Sequence, residues 1–85
     1  MTHAPELLDT TVHLHRWDRT FKEWTHLGSF RLHMHARKAA LLFSEADGEL
    51  YQVFDGRVND GQGAVTGYYL HGHKLTRLDA GQLAN

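Results

Sequence analysis

The sequence predicts an all-β fold, a small antiparallel β-barrel or roll of six or seven short strands. Three observations carry this. Apolar and other residues alternate with a period of two from Thr11 onward, most strictly in "FRLHMHAR" at 30–37, the pattern of a half-buried strand. Asp47-Gly48 stands between two apolar runs, which is a strong hairpin signal. Turn residues punctuate the chain at short intervals, and are densest in "DGRVNDGQGAVTG" at 55–67, with its four glycines.

Taken in order, residues 1–10 form an N-terminal arm in which Pro5 opens at most a turn of helix. "TVHLHRW" at 11–17 sets Val12, Leu14 and Arg16 on one side and His13, His15 and Trp17 on the other. "DRTF" is a turn and "KEWTHL" at 22–27 the returning strand, which could pair Trp24 with Trp17; Gly28-Ser29 breaks it before a third strand at 30–37. Residues 38–48 admit two readings. The favoured one is a hairpin, with strand 39–44, a turn at "EADGE" and strand "LYQVF" at 50–54. The other is a helix over 30–46, making the fold α+β, closed by Gly48 and burying Leu32, Ala36, Ala39 and Phe43. Residues 55–67 are expected to be a flexible loop, and "GYYLHGHKLTRL" one bent strand or two short ones, with Gly72 at the kink. The expected organisation is an arm at 1–10, a single β domain at 11–79 and a polar tail at 80–85.

A chain of 85 residues makes one domain with a small core, and self-association is a common remedy for modest stability, so a homodimer is expected. Nine Lys and Arg against ten Asp and Glu leave a net charge of −1, which argues against a strong, sequence-independent hold on DNA. Eight histidines add a steep pH dependence: protonating all of them would carry the charge from −1 to +7. The absence of cysteine removes disulfides, thiolate metal sites, iron–sulfur clusters and cysteine nucleophiles, and mildly favours a cytoplasmic location. The N-terminus has neither a basic segment nor an apolar one of the kind a signal peptide needs. The longest apolar run, "AALLF" at 39–43, is too short to span a bilayer, so no membrane partner is expected.

The most distinctive pattern is His-x-His, present at His13/His15, His33/His35 and His71/His73. On a strand, residues two apart share a face at about 6.6 Å, close enough for both imidazoles to reach one ion. A meander of 11–17, 22–27 and 30–37 would bring His13 and His15 towards His33 and His35 over a middle strand, with about 9–10 Å between the outer strands. Four nitrogen donors suit zinc, and nickel or copper would also fit. His13, His15, His33 and His35 are therefore the first-choice metal ligands, and His71 and His73 the second. Against this, His-x-His alone is a weak motif and imidazoles on a solvent face commonly do nothing but stay hydrated. No acidic residue follows His35 closely: Arg37, Lys38 and Ala39 stand there, and Glu23 or Glu45 would join only if the fold brought them near. The same face, with Trp17, Arg31 and Arg37, could instead bind single-stranded nucleic acid weakly, although near-zero net charge makes nucleic acid an unfavoured partner. Paired imidazoles also repel when both are protonated, so a dimer built on this face would open on acidification.

Other motifs fail on inspection. Asp55, Arg57 and Asn59 occupy the first, third and fifth positions of a calcium loop, but Arg57 cannot ligate, Asp60 replaces the required glycine and Thr66 stands where a bidentate Glu is needed. Gly61, Gly63 and Gly67 miss the dinucleotide-binding spacing by one residue and have no βαβ unit around them. Neither Ser29 nor Ser44 lies in a nucleophile elbow. A barrel of this size encloses no substrate pocket within one chain, so the expectation leans away from an enzyme. The sequence thus points to a small non-catalytic binding or accessory protein of unknown partner, acting through an exposed sheet face or the 55–67 loop. The alternative is a histidine-ligated, zinc-type metal protein.

Overall fold

The structure is a computed structural model, and it describes residues 11–78. The arm at 1–10 and the tail at 80–85 lie outside the described residues. Five strands and one helix follow one another as β1 (Val12–Asp18), β2 (Glu23–Phe30), α1 (His33–Asp47), β3 (Tyr51–Asp55), β4 (Ala64–Leu70) and β5 (His73–Leu75). All four strand pairings are antiparallel, and the spatial order is β2-β1-β3-β4-β5. The sheet is open, with β2 and β5 at its edges, and α1 covers one face. The expected closed barrel of six or seven strands is therefore corrected to a five-stranded antiparallel sheet carrying one helix. Among the described residues no helix is long and apolar enough to cross a membrane.

The alternation in β1 works as the sequence suggests. Val12 and Leu14 are fully buried on the helix side, where they meet Val53, Tyr51 and Tyr69 from the neighbouring strands and Ala36 and Ala40 from the helix. Leu14 sits opposite Val53 on one side and Gly28 on the other, in the middle of this core.

The strands expected at 30–37 and 39–44, and with them the hairpin, are overturned because residues 33–47 are helical, while the strand expected at 50–54 is present as β3. Gly48 explains the ambiguity. It takes the left-handed conformation (φ 70°) and donates its N–H to Ser44 O at 2.9 Å, ending the helix as a C-cap. The same residue type at the same place would also make a hairpin turn, and Ala39, Ala40, Leu41 and Leu42 decide for the helix by propensity.

The helix does not bury the stripe that the alternative reading gave it. Ala36, Ala40 and Ser44, four residues apart, face the sheet, while Leu32 and Phe43 are roughly half exposed and Ala39 is half-buried. Small residues let the helix lie close to the strands. Ser44 then joins it to the far end of the sheet, donating its hydroxyl to Leu41 O at 3.2 Å and accepting the Gly72 N–H at 3.0 Å. Tyr51 holds the same helix end by donating its hydroxyl to the Asp47 carboxylate. Burial, with that acidic partner, pushes the Tyr51 phenol up to about 12.

The segment expected to be a flexible loop is a built turn. Gly61 and Gly63 donate to Val58 O, Gln62 donates to Asn59 O, and β4 begins at Ala64. Gly63 (φ 84°) has no room for a side chain, since a Cβ there would stand 2.4 Å from the Phe54 ring. At the start of the turn, Arg57 donates to both oxygens of the buried Asp55 carboxylate, at 3.0 and 2.9 Å, and to Arg31 O just before the helix. The Arg57 hydrogen bonds hold the Asp55 carboxyl down to about 2, against the opposing effect of burial. A folded-state pKa below the unfolded one contributes stability that is present above about pH 4 and is lost as pH falls towards 2. Denaturant unfolding at pH 6, 4 and 2 should show this acid-side decline, and Asp55→Asn should flatten it. An unchanged decline in the variant would remove Asp55 from the explanation.

Candidate functional site

The face of the sheet away from the helix carries the most unusual grouping in the molecule. Three cross-strand rows can be read across it from the registers. The first runs Ser29, His13, Phe54; the second runs His26, His15, Gln52, Tyr68; the third begins Trp24, Trp17. Trp17 and Trp24 pack edge to face with ring centroids 5.2 Å apart. Trp24 also meets Tyr68 at 6.0 Å, although β1 and β3 lie between their strands. At about 4.8 Å per strand spacing their backbones would be some 14 Å apart on a flat sheet, so the two rings lean towards each other across the face. Gln52, in the row between them, is only 7% exposed.

The histidines occupy the other end of this face. His13 and His26 ring centroids are 5.2 Å apart, His15 and His26 5.6 Å, and His13 and His15 6.3 Å. A β-bulge makes this possible. The β1–β2 register shifts between Leu14 and His15, so Gly28 opposes Leu14 but His26 opposes His15, with Leu27 as the additional residue. Residues 26 and 29 would point to opposite faces of a regular strand. The bulge puts both on the same one, and Ser29 and His26 flank His13 together.

Nitrogen and oxygen atoms converge there. His13 Nδ1 lies 3.1 Å from His26 Nε2, and Ser29 Oγ lies 3.0 Å from the first and 3.3 Å from the second. This triangle has nearly equal sides. A tetrahedral zinc ion with bonds of about 2.0–2.1 Å needs donor atoms roughly 3.3 Å apart, so the triangle has the size of one face of its coordination shell. Two of the remaining ring nitrogens are engaged from outside the cluster. Thr11 Oγ1 lies 2.9 Å from His13 Nε2, and the buried Gln52 side chain lies 3.1 Å from His15 Nδ1. Partners of this kind fix ring orientation and tautomer in metal sites. Burial lowers the His15 pKa, and the neighbouring His26 and His13 lower it further, which favours the neutral form a metal requires.

Among the described residues no group of three or more His, Cys, Asp or Glu side chains is placed to hold a metal ion as it stands. Two imidazoles and a hydroxyl meet, and His15 is the outlying member. Its ring stacks on His13 at 6.3 Å and lies 5.6 Å from His26, so it would have to turn towards the other two to share an ion with them. As they stand, the same contacts make a hydrogen-bonded patch that ties β1 to β2.

Only half of the first-choice ligand set is brought together. His13 and His15 share the face, but His33 and His35 belong to α1, on the other side of the sheet. His33 Nε2 is 2.8 Å from Thr66 Oγ1, and His35 is exposed on the helix. The reason is the misassigned strand at 30–37: β2 is an edge strand ending at Phe30, and β1 is the middle strand of the three. His71 and His73 are divided by the tight turn at His71-Gly72, where His71 adopts φ 53°, so they do not form an i, i+2 pair on one strand. Trp17 is on the histidine face, but Arg31 precedes the helix and Arg37 lies within it, so neither shares a strand with His13, His15 and Trp17. His26 was missed altogether. The pairing of Trp17 with Trp24 was the available signal, since that register alone sets His26 opposite His15. The chain matches no known family model, no curated protein and no solved structure.

Proposed function

We propose that this is a small non-catalytic binding protein that works through the helix-free face of its sheet. The ligand at the centre of that face is a transition-metal ion of the zinc type, held by His13 through Nδ1, by His26 through Nε2 and by His15, with Ser29 or water in the fourth position. The observation that carries the reading is the nearly equilateral triangle of His13 Nδ1, His26 Nε2 and Ser29 Oγ, supported from outside by Thr11 and Gln52. Imidazole with oxygen suits zinc, nickel and copper(II), and the lack of thiolates sets aside ions that depend on soft sulfur ligands. The aromatic end of the face, Trp24 and Tyr68, flanks the ion and would meet whatever approaches it.

Titration calorimetry of tag-free protein with zinc, in a buffer that does not chelate, tests this directly. One ion per chain is expected, with binding abolished in His26→Ala and affinity falling on acidification, as imidazole ligands take up protons. Absence of heat, or equal binding by His26→Ala, would overturn the proposal. Circular dichroism of the variant establishes that the fold is retained.

A further inference from the structure

The outer side of α1 has the opposite character to its inner side. Small residues, Ala36, Ala40 and Ser44, are buried against the sheet, while Met34 and Leu42 are 59% and 57% exposed. At 100° per residue, Met34, Lys38, Leu42 and Glu45 fall together on the side away from the sheet, with Leu41 on the flank, partly buried against the core. A helix of a monomeric domain ordinarily points its large apolar residues inward. Here Met34 and Leu42 face outward, and Met34 and Lys38 line a shallow depression that is bordered by the partly buried Leu41.

Charge along this helix is segregated by sign. Arg37 and Lys38 lie in its first half, and Glu45 and Asp47 lie at its end. The first turn has no acidic residue and the last turn has no basic one. This order runs against the helix dipole, whose N-terminal end favours negative charge and whose C-terminal end favours positive charge. A second copy laid antiparallel reverses the situation, because the basic half of each helix then lies beside the acidic end of the other.

We infer that the chain associates with a second copy of itself through the outer face of α1. The two helices run antiparallel about a two-fold axis, with Lys38 of each copy beside Glu45 of the other and Leu42 of both copies between them. Such a contact is isologous and closes on itself, so it yields a dimer and not a filament. A helix of 15 residues is about 22 Å long, so the paired helices alone bury less than the roughly 800 Å² per partner of a standard interface. The dimer is therefore concentration-dependent. It is independent of the metal proposal, whose residues lie on the other side of the sheet.

Sedimentation equilibrium over a wide concentration range, with chelator present to exclude metal-bridged species, tests the inference. The unaltered chain is expected to show a monomer–dimer equilibrium. Lys38→Glu and Glu45→Lys should each weaken it by on the order of tenfold, since the symmetry doubles every like-charge contact. The double variant should recover the original affinity. Leu42→Asp should give a folded monomer by circular dichroism. A chain monomeric at every concentration, a dimer indifferent to the single reversals, or a double variant that fails to recover would each overturn the assignment.

Discussion

Zinc at about 100 times its dissociation constant should raise the melting temperature of the metal-free protein by roughly 10 °C or more. A ligand that binds only the folded chain stabilises it by about 2.7 kcal/mol at that excess, and a domain of this size shifts by about 4–8 °C per kcal/mol. The cluster is well placed to bind the folded chain selectively, because His13 and His15 come from β1 and His26 from β2, and only the paired strands unite them. His26→Ala should remove the shift, as should His13→Ala. His33→Ala combined with His35→Ala should leave it intact, since those residues belong to the helix. The reverse pattern, with the helix pair required and His26 dispensable, would show that the cluster on the open face is a hydrogen-bonded patch and nothing more.

Leu14→Ala should lower stability by about 3 kcal/mol, within the usual 2–5 kcal/mol range for truncating a buried leucine. Leu14 is 1% exposed, lies on β1 between β2 and β3, and packs in one cluster with Val53, Ala36 and Ala40. The strands and the helix are tied by hydrogen bonds and by Ser44, so the space cannot collapse freely. Single domains are stable by about 0.05–0.15 kcal/mol per residue, so this change consumes a large share of the total and should lower the melting temperature by on the order of 15 °C. Phe21→Ala, at a residue 73% exposed in the β1–β2 turn, should stay within about 0.5 kcal/mol. Paired denaturant curves would check both, and equal effects would mean that the core is not where the structure places it.

The first hairpin was legible because two signals agree there. The period-two pattern of Val12 and Leu14 names the buried side, and the turn residues between Trp17 and Trp24 let the chain reverse. The helix was harder. "FRLHMHAR" alternates as a strand would, yet only Ala36 of its apolar residues is fully buried, and the alternation of Leu32 and Met34 reflects an exposed surface. Local pattern cannot distinguish an apolar residue that faces a core from one that faces outward. The Asp47-Gly48 pair added to the error, because a left-handed glycine serves a helix end as well as a hairpin.

The site was half legible for a related reason. His13 and His15 belong together by spacing alone, whereas their third partner depends on register. Trp17 opposite Trp24 fixes His15 opposite His26, but bringing Ser29 to the same face requires a bulge, and Gly28-Ser29 resembled a strand end as much as a bulge. Gln52 gave no signal at all. Its role follows from β3 lying next to β1, an arrangement created by the helical crossover that the sequence concealed.

Long-range ¹H–¹⁵N correlation spectra of the imidazole rings, recorded before and after one equivalent of zinc, would decide whether the histidine cluster on the open face holds the ion. Shift changes of metal coordination are expected at Nδ1 of His13, Nε2 of His26 and one ring nitrogen of His15, while His33, His35, His71 and His73 keep their positions. Unmoved resonances at His13, His15 and His26, or coordination shifts confined to the other four, would contradict that placement of the ion.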